Sequence, residues 1–134
     1  MIDCRITLNQ GAIEEIYNKA HAALISTAQA LQDNVVDHDL MPYYAGPGGG
    51  ESEKSTFVYG EGNDKAIIYC PAYYSKWNYF KDVCWYTQEP FRRYVNPNAQ
   101  GHWWDAYRDG KANGFDVTQT FRKYMTIYFG GGGG

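Results

Sequence analysis

The feature that most constrains the fold is an apolar stripe that runs through residues 10–37. Its members recur at three- and four-residue steps, the spacing of one face of an α-helix: Ile13, Ile16, Tyr17, Ala20, Leu24, Ala28, Leu31 and Val35. Asn9 can cap such a helix, and Glu14 and Glu15 lie in its early turns, where the helix dipole favours acidic side chains. The spacing therefore predicts an amphipathic helix over residues 10–37, about 40 Å long.

The chain also contains segments with the pattern of β-strands. Apolar and polar residues alternate over residues 2–8, with the two-residue period of a strand that is buried on one face. Residues 55–59 and 65–70 have strand composition, and a turn-rich segment, 60–64, connects them. This arrangement predicts a β-hairpin, and Pro71 ends its second strand.

The remaining segments have less regular patterns. Residues 38–54 are rich in glycine and proline, which predicts a flexible and exposed loop. The aromatic residues 72–80 fit either a helix or an extended segment, and residues 83–86 fit a short strand. Asn98 can cap a further helix over residues 99–111.

The end of the chain completes one domain. Residues 116–128 fit either a last helix or an extended tail, because their apolar positions follow neither period cleanly. No internal repeat or second domain is visible, so we expect a single α+β domain over residues 1–129 and a flexible glycine tail over 130–134. A domain of this length buries about two thirds of its unfolded surface, which is enough for a core without metal or disulfide bonds.

Aromatic residues make up 17% of the chain, including 13 Tyr and 4 Trp. About half of them are expected in the core, but thirteen tyrosines exceed what one small core can hold, since each buried hydroxyl needs a partner. We therefore expect part of the aromatic surface to be exposed in the monomer and covered by another protein, or alternatively to stack on sugars. The net charge of -3 and the pI of about 5.5 argue against a nucleic-acid-binding protein.

The sequence offers no catalytic, cofactor or metal constellation. Cys4, Cys70 and Cys84 are widely spaced without a Cys-x-x-Cys motif, which indicates reduced thiols, although a hydrolase that uses Cys70 or Cys84 is a further alternative. His102 and Asp105 are two candidate metal ligands without a third, so a polar surface pair is favoured. No apolar run is long enough for a membrane span, and the N-terminus lacks a signal peptide, so we expect folding in a cytoplasm.

Three stretches of the chain resemble one protein family. Residues 96–106 contain Asn96, Pro97, Ala99, Trp103 and Trp104 and resemble the Asn-Pro-x-Ala-x-x-x-Trp-Phe/Trp segment of phage minor capsid proteins. Those proteins are similar to the head–tail connector or tail-completion proteins of long-tailed phages.

The two other stretches precede this segment in the same order as in the family. Residues 68–74, with Pro71, resemble the family's strand that ends in a Thr-Pro-Tyr-Ala element. Pro42 and Gly46 stand where the family has Pro-x-x-Thr-Gly, after a long helix and before a strand.

The resemblance implies an α+β fold with the long N-terminal helix packed across a small antiparallel β-sheet, together with a shorter C-terminal helix. It further implies a non-enzymatic structural protein without a cofactor, assembled in the host bacterial cytoplasm into an oligomeric ring at the head–tail junction of a virion. Its partners would be copies of itself and the neighbouring phage head, connector and tail proteins.

The residues expected at the interfaces follow from this reading. Aromatic anchors expected to be buried between subunits are Tyr43, Tyr44, Trp77, Tyr79 and Trp85. Arg92 and Arg93 are expected to pair with acidic residues of an adjacent copy or to face packaged DNA in the lumen. The alternative function is a carbohydrate- or receptor-binding module of a phage tail, in which the same aromatic surface stacks on sugars.

Overall fold

The computed structural model describes residues 10–43, 49–62, 64–72, 74–84, 88–91, 93 and 95–130. The strand predicted over residues 2–8 lies outside these ranges. The glycines 131–134 of the predicted tail also lie outside them. Six of the residues singled out from the sequence do so too, and these are Cys4, Asn9, Tyr44, Gly46, Trp85 and Arg92.

The described chain has the predicted α+β fold, with a long N-terminal helix on a small antiparallel sheet and a C-terminal helix. The helices are α1 (Gln10–Asp37), α2 (Glu51–Ser55), α3 (Ser75–Lys81), a 3-10 helix (Asp105–Asp109) and α4 (Val117–Gly130). The strands are β1 (Phe57–Glu61), β2 (Lys65–Tyr69), β3 (Lys111–Ala112) and β4 (Phe115–Asp116). Strand β1 pairs with β2, and β3 pairs with β4, so the chain has two antiparallel two-stranded sheets within the described residues. The bounds of α1 are those that the apolar stripe predicts.

Helix α1 carries the β1–β2 hairpin on one side and α4 on another. His21 Nε2 lies 2.7 Å from the carbonyl oxygen of Lys65, at the turn end of the hairpin. Gly60 is so close to this histidine that a Cβ atom would lie 2.5 Å from the imidazole ring, so a larger residue there would displace the His21 side chain. On the other side, α4 runs antiparallel to α1, and Ser26 Oγ and Tyr128 Oη are 2.7 Å apart.

The core lies where the end of α1 meets the segment before the 3-10 helix. Its buried members form one cluster: Val35, Leu40, Met41, Trp103 and Tyr107. Trp103 is 1% exposed, and its ring meets that of Tyr79 at a centroid distance of 4.8 Å. Trp103 is therefore the largest member of the core.

The helix predicted over residues 99–111 is wrong, because only the 3-10 helix forms there. Gly101 approaches the end of α3 so closely that a Cβ atom would lie 2.9 Å from Asp82 Cα. Its N–H donates to Asp82 Oδ1 at 2.6 Å, and His102 then adopts a left-handed φ of 48°. A right-handed helix cannot continue through such a residue, so the contact with α3 overrides the local helix propensity.

Two other loop or strand predictions also need correction. Residues 51–54, predicted as part of an exposed loop, belong to α2, in which Ser52 is buried. Val83 and Cys84 form no strand, and residues 85–87 lie outside the described chain. Residues 116–128, which fit either a helix or an extended tail, lie almost entirely in the helix α4. Gly130, predicted as part of the flexible tail, also belongs to this helix.

Candidate functional site

The outer face of the β1–β2 hairpin is a continuous aromatic surface. Because side chains alternate along a strand, Val58 and Ile68 share the side that faces α1, whereas three aromatic rings point away from it. These rings belong to Phe57, Tyr59 and Tyr69, which are 47%, 41% and 49% exposed, and we call them the hairpin face. The register pairs Phe57 with Tyr69, and the Phe57 centroid lies 5.7 Å from the centroids of both Tyr59 and Tyr69.

This surface is unusual for a small domain on its own. Cross-strand aromatic contacts stabilise the hairpin, but they leave nearly half of each ring in water. Contiguous exposed apolar surface generally marks a site of interaction with another molecule. The hairpin face is therefore the strongest candidate site in the described chain. Sequence reasoning missed it, although the alternation of Phe57 and Tyr59 within one strand was a usable signal.

A groove of about 500 Å³ lies beside the hairpin face, between the end of β2, α3 and the 3-10 helix. Tyr69, Phe80 and Trp104 are among its aromatic lining residues, and Asp105 and Arg108 are among its polar ones. Tyr69 belongs both to this groove and to the hairpin face, so the two surfaces are continuous.

Asp105 organises the polar part of the groove. Its Oδ2 lies 3.1 Å from His102 Nδ1, its Oδ1 lies 3.5 Å from Arg108 Nη2, and it accepts a hydrogen bond from the Tyr79 hydroxyl. The bond from Tyr79 is the main reason why the pKa of Asp105 is lowered. Burial, followed by the hydrogen bond to the carboxylate, raises the pKa of Tyr79, so the proton stays on the phenol. The predicted pair of His102 and Asp105 is thus a polar network, and no group of three metal-ligating residues occurs within the described chain.

Two cysteines, Cys70 and Cys84, lie in the described chain. Both are half-buried. Cys70 lines the groove, but its Sγ lies 3.5 Å from the carbonyl oxygen of Ser52, to which it donates. This contact joins the end of the hairpin to α2.

The family-like segment of residues 96–106 lies at the core, hydrogen-bonded to the chain that leads to Pro42. Asn96 is buried, and its Nδ2 donates to the carbonyl oxygen of Met41 and to Glu53 Oε1, both at 2.7 Å. The backbone N–H of Gln100 donates to the carbonyl oxygen of Leu40 at 3.0 Å. Burial is the main cause of the raised pKa of Glu53, and the hydrogen bond from Asn96 opposes it. The Asn-Pro-x-Ala segment therefore ties the chain just before Pro42 to the C-terminal half.

The other described residues that carry the family resemblance differ in burial. Ala99 is buried, Trp104 is half-buried with its Nε1 donating to Gln32 Oε1 at 2.8 Å, and Pro42 is half-buried. Pro71 and Pro97 are exposed at the ends of their segments.

The predicted interface residues are dispersed rather than gathered into one site. Trp77 is 40% exposed on α3, and Lys81 Nζ lies 5.6 Å from its ring centroid. Tyr79 is half-buried against Trp103. Tyr43 is half-buried against Gly50, with Lys54 Nζ 5.8 Å from its ring centroid. Arg93 is exposed and donates through Nε to the carbonyl oxygen of Ala99 at 3.1 Å.

Comparison of the chain with protein-family models, curated proteins and solved structures finds no match. None of the helices in the described chain combines the length and apolar character needed to cross a lipid bilayer.

Proposed function

We propose that this chain is a non-enzymatic structural protein of a phage virion, a minor capsid or neck component that joins head and tail as part of an oligomeric ring. The observation that carries the proposal is the hairpin face, which exposes three contiguous aromatic rings outside the core. Rigid aromatic side chains bury a large area at little cost in rotamer entropy, which suits a permanent protein–protein contact.

The location of the family-like residues supports the same proposal. Asn96 and Trp103 serve the fold, since one closes the junction with Met41 and the other fills the core. A motif with this role accompanies a particular architecture, while the surfaces that contact other proteins lie elsewhere on the molecule. The resemblance thus suggests which assembly the chain belongs to. The hairpin face provides a surface through which the chain can bind the other proteins of that assembly.

The proposed partners are copies of this chain and the adjacent head, connector and tail proteins. The copies would be assembled in the bacterial cytoplasm and remain in the virion at the head–tail junction. Trp77 and Arg93 are exposed outside the hairpin face, and we assign them to contacts with neighbouring proteins or, for Arg93, with packaged DNA.

The test is to locate the chain in virus particles. In host cells that produce the virus encoding it, deletion of its gene is expected to yield heads without tails, and the wild-type gene supplied in trans should restore complete particles. Immunogold electron microscopy of an epitope-tagged chain should place the label at the head–tail junction. Complete infectious particles after the deletion, or a chain that is absent from purified particles, would refute the proposal.

The groove gives a specific reason to test a second function, a carbohydrate- or receptor-binding module of a phage tail. Aromatic rings beside an organised carboxylate and guanidinium are a combination that can stack on a sugar ring and bind its hydroxyls. Titration of the chain with bacterial envelope oligosaccharides should then change the fluorescence of Trp104 saturably. Phe80→Ala should remove this response, and a flat titration for the wild-type chain would rule this function out.

A further inference from the structure

We propose that neighbouring copies of this chain join through two different surfaces, with the hairpin face of one copy covering the outer face of α4 on the next. The inference rests on the proposed function and specifies the partner of the hairpin face. A closed ring of more than two copies needs this heterologous type of contact, since an interface that pairs a surface with itself stops at a dimer.

Helix α4 has an outer face suited to this role. Its inward side, which includes Phe121 and Tyr124, is half-buried. On the other side Arg122, Lys123 and Ile127 are exposed, and we call these three residues the α4 face. Phe129 is not part of it, because its ring lies 5.4 Å from Nζ of Lys19 on α1. A spacing of four residues places Lys123 next to Ile127, so a cation lies beside an apolar side chain on this face.

The hairpin face and the α4 face can be occupied at the same time. The hairpin packs near His21 and Ile25 of α1, whereas α4 packs near Ala22 and Ser26. These positions are offset by one residue, which is a rotation of about 100° around the helix axis. The two outer surfaces therefore point in different directions, as two neighbours in a ring require.

The charges of the two surfaces are complementary. Helix α4 contains Arg122 and Lys123 and no acidic residue. At the turn end of the hairpin, Glu61 and Asp64 are exposed beside Lys65. Neither the two cations nor the two carboxylates form an ion pair within the described chain, as no such contact lies within 4.0 Å. A contact between two α4 faces would bring like charges together, whereas a contact between the hairpin face and the α4 face brings opposite charges together.

The experiment uses two variants of the full chain, each altered on one surface. Tyr59→Ala removes the central ring of the hairpin face, and Ile127→Asp places a carboxylate in the α4 face. Each variant alone is expected to weaken self-association at least about tenfold, since buried aromatic and apolar anchors dominate such contacts. Mixed together, the two variants should form one-to-one dimers and nothing larger, because each copy retains one intact surface. Sedimentation velocity measures both outcomes.

Tyr17→Ala provides the matched control, since it is also a Tyr→Ala change, and Tyr17 is 54% exposed against 41% for Tyr59 and lies on neither surface. This variant should associate like the wild-type chain, and all three variants should keep its melting temperature within a few degrees. A mixture that stays monomeric while the wild-type chain associates would overturn the inference but leave the proposed function standing on the particle experiment. A wild-type chain that stays monomeric at every concentration would overturn it as well, again without deciding the location of the chain in the virion.

Discussion

Trp103→Ala is expected to lower the free energy of unfolding by about 3–5 kcal/mol, the range for removing a large aromatic side chain from a core. Trp103 is the largest fully buried side chain and contacts Tyr79 and Trp104 as well as the apolar residues of the core. Its removal leaves a cavity beneath the groove, at the junction that holds the two halves of the chain together. Urea unfolding at pH 7, followed by far-ultraviolet circular dichroism, measures the loss.

Trp103→Phe separates the packing of this residue from its hydrogen bonding. The indole Nε1 of Trp103 is buried and has no hydrogen-bond partner in the described chain. Phenylalanine keeps an aromatic ring in the cavity and removes a donor that makes no bond, so its cost should be less than half that of alanine. Equal losses for both variants would show that the N–H is bonded and that packing is not the main contribution. Trp77→Ala, which removes an exposed indole, should change stability by no more than about 0.5 kcal/mol.

The parts of the fold that the sequence predicts are those that local periodicity determines. The stripe from Ile13 to Val35 predicts both ends of α1, because an apolar position that recurs over many turns repeats one helical signal. Two members of the stripe, Ile16 and Tyr17, are nevertheless more than half exposed. The hairpin is also predicted, since two strands and the turn between them form a local unit. In both cases the pattern can be recognised before any contact distant in sequence is known.

The parts that the sequence does not predict depend on distant contacts. Residues 99–111 have helical composition, but the packing of Gly101 on Asp82 and the left-handed His102 prevent an α-helix there. Residues 51–55 have the composition of a solvated segment, yet α2 forms, and the Cys70 thiol, distant in sequence, donates to Ser52. Such contacts join residues about 20 positions apart, so no local pattern contains them.

The candidate site could likewise be predicted only in the features that do not depend on contacts between distant residues. The excess of aromatic residues correctly indicates that some rings stay exposed, but composition does not show which ones. Tyr79, expected at an interface, is instead half-buried in the groove, because its hydroxyl donates a hydrogen bond to Asp105 and its ring packs against Trp103. Phe57 and Tyr59 point outward because Val58 between them faces α1. Which of two alternating sets faces the core is decided by the helix on which the hairpin packs.

Asn96→Asp is the second change for which we expect a large effect, a loss of about 3 kcal/mol in the free energy of unfolding at pH 7. Asn96 is 4% exposed, and both of its N–H groups are used, one on the carbonyl oxygen of Met41 and one on Glu53 Oε1. A carboxylate of the same shape offers neither donor and places a negative charge between two acceptors, one of which is already an acid. The change therefore alters hydrogen bonding and charge while leaving the packing volume nearly unchanged.

The pH dependence of Asn96→Asp distinguishes this cause from a general loss of packing. Burial already raises the pKa of Glu53, and the introduced carboxyl should likewise have a raised pKa in the folded state. A raised folded-state pKa means that the native state binds the proton more tightly, so stability falls as the pH rises through that pKa and returns as the pH falls. The deficit relative to the wild-type chain should therefore shrink towards about pH 4, where the protonated carboxyl can donate to Met41.

Asn98→Asp is the matched control, since Asn98 lies two residues away, is exposed and donates only to the carbonyl oxygen of His38 at 3.1 Å. Water can replace that donor, so the loss should stay below about 1 kcal/mol and change little with pH. If Asn96→Asp proved as mild as this control, Asn96 would not hold the two halves of the chain together. The first residue of the family-like segment would then have no structural role at the core, and Trp103 would be the residue through which this segment stabilises the fold.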